Sequence, residues 1–209
     1  PITSDSLLVH YLARELGDRL TGRRLRRVRF DSEHRRVTLE LDDHRLVWEL
    51  HPTRGWIRVL QGTQPADDAV QEATEGWGGR TIRTQRRPRV REVLAPPDER
   101  ILEIEIDAGG PDRASRLVVE LMTNQWNALA LAPDGRIVSA LWSREAGGRT
   151  LRTGEPYAPP GGFEPRRGIR EPIPLERWQA LLADVEGGDR PRALVRNVAW
   201  TSPLNAPSA

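Results

Sequence analysis

Residues 36–41 read Arg36-Val37-Thr38-Leu39-Glu40-Leu41, and the period of two in that hexapeptide decides the class of fold. Successive side chains of a strand leave opposite faces of a sheet, so Val37, Leu39 and Leu41 share one buried face while Thr38 and Glu40 meet water. Three further β-like runs surround it: Leu25 to Phe30, Arg45 to Leu50 and Trp56 to Leu60. The segments between them, Asp31-Ser32-Glu33, Asp42-Asp43 and Pro52-Thr53-Arg54-Gly55, carry residues that favour turns. Four strands joined by short turns predict an antiparallel meander.

Upstream of the meander, Ser4 and Asp5 offer an N-cap to a helix whose Leu7, Leu8, Tyr11, Leu12 and Leu16 form the predicted apolar stripe, with Gly17 or Gly22 as the stop. Downstream, residues 65–79 are acidic and helix-compatible, with a thin apolar stripe ending in Trp77. A second β block is predicted from Thr81 to Leu141, with strands at Thr81 to Arg86, Val90 to Leu94, Arg100 to Ile106, Leu117 to Met122, Ala128 to Leu131 and Arg136 to Leu141. In its third strand Leu102, Ile104 and Ile106 share one face and point to a core, while Ile101, Glu103 and Glu105 share the other. Pro133-Asp134-Gly135 supplies a hairpin turn, and residues 154–162, rich in Pro and Gly, leave the block as an extended segment.

Beyond that exit, Pro174 opens a helix with Leu175, Trp178, Leu181, Leu182 and Val185 on one face, and Gly187-Gly188 stops it. A last helix, Pro191 to Trp200, carries Leu194, Val195 and Val198. The expected organisation is an α+β domain over residues 1–165, followed by a linker and the start of a helical domain over 166–209.

The chain has 209 residues, of which 32 are cationic, and every cation is arginine. Guanidinium matches phosphate geometry and stacks on bases, which favours a nucleic-acid partner; GC-rich coding yields the same inventory with no such partner. The densest basic stretches are residues 23–29 and 80–91. In the second, alternating strand positions would line successive phosphates, and the competing reading is a solvated face balanced by Glu92, Glu99, Glu103 and Glu105. Among seven tryptophans, Trp77 and Trp126 lie among Gly, Arg, Asn and Gln, where an indole could serve as a base-stacking platform. Cysteine is absent, which excludes disulfides, thiolate chemistry and Cys-based zinc sites. The four histidines show no metal-ligand spacing, so neither metal nor cofactor is expected. No run reaches the roughly 18 apolar residues of a membrane span and no apolar leader follows the start, so a cytoplasmic location is expected.

An ordered set of segments then becomes specific. It comprises Asp5 in the first helix, Leu50-His51-Pro52, Gly78-Gly79-Arg80-Thr81-Ile82, Glu99-Arg100 leading into Ile101-Leu102-Glu103-Ile104, residues 117–122, Asn127, Asp134-Gly135-Arg136-Ile137 and residues 154–160. In that order they resemble the N-terminal domain of the NFACT family, also described as the fibronectin-binding protein A N-terminal domain. The tail, Arg192 to Leu204, resembles the opening of the family's following helix-hairpin-helix domain.

The resemblance implies a two-sheet antiparallel β structure flanked by helices, similar to the N-terminal domain of formamidopyrimidine-DNA glycosylases. It implies a role in ribosome-associated quality control: binding tRNA and the obstructed large ribosomal subunit, and supporting untemplated C-terminal tailing of stalled nascent chains. The family's Asp-Arg pair, implicated in tRNA engagement, falls on Glu99 and Arg100, with Asp98 one residue earlier as a second source of the acid. The RNA-binding set expected on this basis is Arg80, Arg83, Arg86, Glu99, Arg100, Trp126 and Asn127. Residues 70–76 are acidic and 123–126 neutral where the family carries basic residues.

Two other classes compete. The glycosylase likeness draws attention to Pro1 as an amine nucleophile, but Ile2 stands where that chemistry needs its acid, so no enzymatic activity is expected. The family's older name suggests an adhesion module, which a chain with no visible export signal does not favour.

Overall fold

The computed structural model describes residues 5–62, 80–83, 88–107, 114–122, 126–160 and 166–208, with residues 80–83 described in backbone only. Helix α1 spans Ser6–Leu20, and Asp5 caps it by accepting the backbone N–H of Leu8 on Oδ1 at 2.7 Å. The helix buries Val9, Ala13, Leu16 and Leu20, while Leu8 and Tyr11 are exposed, so the apolar face lies about one residue around from the predicted stripe. Packing of the helix against strands β6 and β7 selects this face. A Cβ added at Gly17 would already sit 4.0 Å from that of Val93.

The meander forms as predicted. Strands β1 (Leu25–Asp31), β2 (Arg36–Leu41), β3 (His44–Glu49) and β4 (Trp56–Gln61) pair antiparallel in sequence order. Strand β5 (Arg80–Arg83) joins the other side of β1 and makes the order β4-β3-β2-β1-β5. This corrects the expectation that residue 81 opens the second β block. The second sheet begins at β6 (Val90–Leu94) and continues through β7 (Ile101–Ile106), β8 (Arg116–Glu120), β9 (Asn127–Leu131) and β10 (Ile137–Ala140), in the order β10-β9-β8-β7-β6. Pro88 marks the change of sheet. It has no N–H to continue a ladder, and its carbonyl accepts the N–H of Leu25 at 2.7 Å.

The two sheets face one another across a single core. Phe30, Val37, Leu39 and Leu46 of the first meet Leu102, Ile104, Leu117 and Val119 of the second, and α1 closes one side. Leu102, Ile104 and Ile106 therefore face the core as the alternation predicted. Ile101 is equally buried, in a second cluster on the far side of the second sheet with Val118, Leu129, Leu131, Ile137 and Leu151. Both faces of that sheet are covered, which is why every residue of β9 is buried.

A hairpin absent from the sequence reading covers part of that outer face: β11 (Arg144–Ala146) and β12 (Arg149–Leu151). Gly147 and Gly148, with φ of +57° and +73°, occupy the two-residue turn in the left-handed region, where glycine carries no Cβ penalty. After it, residues 154–157 pair back to the Arg136 segment, and the chain goes on to helices α2 (Leu175–Leu182) and α3 (Arg190–Asn197). The two helices pack on one another through Leu194 and Val198 against Trp178, Leu181 and Leu182. Leu175, placed on the apolar face of α2 by its spacing, is 71% exposed.

Candidate nucleic-acid interface

The turn between β6 and β7, Pro96-Pro97-Asp98-Glu99-Arg100, lies beside the start of α1. Asp98 has φ of +62°, a conformation that costs a non-glycine residue about 1–3 kcal/mol and that Asp tolerates better than most. Its carboxylate is the reason the turn holds. Arg166 donates to it through Nε, at 2.6 Å to Oδ2, and through Nη2 to Oδ1, while the Ser6 hydroxyl donates to Oδ1 at 3.1 Å and the Trp200 N–H at 2.8 Å. Fork-to-fork pairing of this kind fixes direction as well as distance.

Arg166 also donates through Nη1 to the carbonyls of Val195 and Thr201, at 2.8 and 2.9 Å. One guanidinium thus fastens the β6–β7 turn to the end of the C-terminal helix. A second fastening runs from the Ser202 hydroxyl to Asp5 Oδ2 at 2.9 Å, so Asp5 caps α1 with one oxygen and holds the tail with the other. Trp200, at φ of +65°, is kept in its left-handed conformation by its N–H bond to Asp98 and by Asn205 Nδ2 donating to its carbonyl at 2.9 Å. His10 of α1 meets its indole edge-on, with ring centroids 5.2 Å apart.

Of the two acids that could stand in the family's acid-arginine pair, Asp98 is committed to Arg166, and Glu99 sits half-buried beside Arg100. Partial burial, reinforced by the negative charge of Asp98, pushes the Glu99 carboxyl above the usual range against the pull of Arg100 and Arg166. Burial likewise draws the Arg100 guanidinium down, opposed by Glu99. The turn therefore presents a partly desolvated guanidinium at the meeting point of α1, the second sheet and the C-terminal segment.

The remaining residues of the expected set are not gathered there. Arg86 and Trp77, like the whole acidic segment 65–79, lie outside the described residues. Arg80 and Arg83 lie in the first sheet, in register with Phe30 and Arg27. The basic run 80–91 is thus divided between two sheets and does not form one phosphate-lining strand. Trp126 is not a stacking platform: it is 6% exposed, built into the core against Gly55, where a Cβ would come within 2.5 Å of its ring. The polar residues that flank it in sequence suggested a surface position, but the strand entry turns the indole inward.

Asn127 is fully buried and cannot touch RNA. Its Oδ1 accepts the N–H groups of Ala128 and Trp142, at 2.9 and 3.1 Å, and its Nδ2 donates to the Trp142 carbonyl at 3.1 Å. It is a strap between β9 and the chain after β10.

Arg166 was missed from sequence because nothing local distinguishes it from the other arginines. Only its pairing across 68 residues with Asp98 shows its role. Among the described residues no cluster of metal-ligating side chains occurs, and no helix is long and apolar enough to cross a membrane.

Fold and site together define an α+β domain of two facing antiparallel sheets, with C-terminal helices fastened to an acid-arginine turn. The chain belongs to the NFACT family: the family model described as NFACT N-terminal and middle domains matches residues 5–207. No curated protein matches the sequence significantly.

Solved structures share the fold at low identity. The N-terminal domain of the fibronectin-binding protein PavA from Streptococcus pneumoniae superposes with a TM-score of 0.64 at 19% identity, over 94% of this chain and 78% of that one. The N-terminal part of the fibronectin/fibrinogen-binding protein from Streptococcus suis gives 0.66 at 16% identity, over 94% and 74%. The fibrinogen-binding protein from Staphylococcus aureus gives 0.65 at 15%, over 97% and 72%.

Proposed function

We propose that this chain is the tRNA- and ribosome-binding portion of a ribosome-associated quality control factor, acting at large subunits obstructed by a stalled nascent chain and supporting its untemplated C-terminal tailing in the cytoplasm. The observation that carries the reading is the Asp98-Glu99-Arg100 turn: a half-buried guanidinium held at a three-way junction by the Asp98–Arg166 pair, in a chain of the NFACT family. Arg100 meets phosphate, and Glu99 restricts its approach. The domain is a binding module and not an enzyme in this reading.

Titration with tRNA at two salt concentrations tests it. Binding falls steeply as salt rises, because each neutralised phosphate releases counterions. Arg100→Ala weakens binding by about 1.5–3 kcal/mol, the range for loss of a charge-assisted contact. Absence of binding at low salt, or an Arg100→Ala protein that binds as tightly as the parent, sinks the assignment. The names of the structural neighbours favour an adhesive second reading, so immobilised fibronectin belongs in the same series. Binding to fibronectin and not to tRNA would reverse the order of the two.

A further inference from the structure

The first sheet reaches the second at the turn between β1 and β2. There Arg35, with φ of +53°, is pinned by its backbone: its N–H reaches the Ser32 carbonyl at 3.4 Å, and its own carbonyl accepts the N–H of Leu50 at 2.6 Å. Its guanidinium, on an exposed residue, lies over the half-buried Trp142 ring with Cζ 4.8 Å from the centroid. Trp142 is equally fixed, since buried Asn127 holds both its N–H and its carbonyl. A buried amide thus fixes the main chain from which the Trp142 indole projects, and that indole backs one exposed guanidinium.

Two residues further on, Arg144 adds a second guanidinium to the same seam. Burial and the positive charges of Arg149 and Arg35 lower its proton affinity, against the pull of Glu120. Glu120 is already gripped by Arg149, at 2.7 Å to Oε1 and 3.2 Å to Oε2, and by the Tyr157 hydroxyl at 3.1 Å. Arg149 therefore holds Glu120, Arg144 feels Glu120, Arg149 and Arg35, and Arg35 itself rests on the Trp142 ring at the exposed end of the seam.

We propose that Arg35, Trp142 and Arg144 form a contact site for single-stranded nucleic acid, with Asn127 as its positioning residue. A base stacks on the outer plane of the Arg35 guanidinium, which the Trp142 indole backs from behind, and Arg144 contacts the adjacent phosphate. Guanidinium and indole both stack on bases without regard to sequence, so the site confers affinity and no base preference. The inference rests on reading the chain as nucleic-acid-binding, but its residues lie apart in sequence from Arg100 and can be tested separately.

The test uses the whole chain and a fluorescein-labelled ten-nucleotide polyuridylate, with an abasic phosphodiester of equal length as the second probe. Arg35→Ala lowers affinity for polyuridylate about fivefold or more, the low end of the loss seen when one stacking partner is removed. Arg35→Lys retains the salt dependence but not the affinity, because it keeps the charge and loses the plane. Arg144→Ala reduces the slope of log affinity against log salt by about 0.7, the single-strand value for one phosphate. Asn127→Ala follows Arg35→Ala in affinity if the protein remains folded, and a circular dichroism melt establishes that it does.

Parent-like affinity in both Arg35→Ala and Arg144→Ala, with Arg100→Ala impaired, overturns this site and leaves the proposed function standing. A parent protein that binds tRNA but not polyuridylate overturns this site alone, and one that binds neither overturns both. Equal affinity for the abasic probe overturns the stacking contact.

Discussion

The outer faces of the two sheets are built from the same residue types and solve opposite problems. On the first sheet, Arg27 and Arg29 of β1 share Glu40 of β2, at 3.8 and 3.1 Å, and Arg36 approaches Glu49 at 3.8 Å. These pairs keep between a fifth and a third of their side-chain surface in water. On the second sheet, Glu120 is fully buried and both its oxygens are bound by Arg149, which also donates to the Ala158 carbonyl at 2.9 Å, while Tyr157 completes the set. The β11–β12 hairpin and the proline-rich exit make the difference, because they remove water from one face and leave the other open. An arginine-carboxylate pair is a modest decoration on the first sheet. On the second it is an obligation, since a buried charge that loses its partner keeps its full desolvation cost.

The sharpest way to break that contrast is Arg149→Ala. It strands Glu120 in the interior, and chemical denaturation should show a loss of about 3–5 kcal/mol. Tyr157→Phe removes one donor of three and costs about 1 kcal/mol. It also changes the alkaline limb of stability. Burial, and the charge of Glu120, hold the Tyr157 phenol protonated well above its ordinary range. Above a pH of about 10 the unfolded chain releases that proton and the folded chain does not, so stability falls as pH rises. The Phe variant should fall less steeply over the same window.

On the open sheet, Glu40→Ala releases two arginines into solvent and costs no more than about 1 kcal/mol, a loss that shrinks as salt is added. Equal losses for Arg149→Ala and Glu40→Ala would mean that the two faces are equally hydrated. The smallest effect belongs to Glu99. Its carboxyl is raised above the ordinary value, so its contribution to stability is complete in acid and is lost as pH rises through the native value. Glu99→Gln should therefore melt slightly higher than the parent at pH 7, with the gap closing near pH 4. A gap that widens in acid would contradict the burial that sets the shift.

Strand alternation was legible wherever one face of a strand meets a core and the other meets water, as in Val37-Thr38-Leu39-Glu40-Leu41. It was least informative in β9, where both faces are covered and the pattern collapses to a continuous apolar run. The Gly147-Gly148 turn was legible in principle, because two adjacent glycines between strand-forming residues signal a tight hairpin. The phase of α1 was not, since two overlapping stripes satisfy helical spacing and only the approach of β6 and β7 selects the one with Ser6, Ala13 and Gly17. Trp126 and Asn127 show the same limit. Polar neighbours suggested a surface for Trp126 and the family resemblance an RNA contact for Asn127, while the strand entry carries both side chains inside.

The sequence by itself determined the meander, the turn chemistry, the absence of cysteine chemistry and the family, because these rest on local periodicity and on an ordered set of segments. Only the tertiary structure decided which arginine answers which acid. All 32 cations are the same residue, so nothing in the sequence distinguishes Arg166, which closes the turn at Asp98, from Arg149, which neutralises Glu120, or from Arg35, which rests on Trp142. Their different roles come from burial and from partners brought together across distant parts of the chain, which charge and composition alone do not encode.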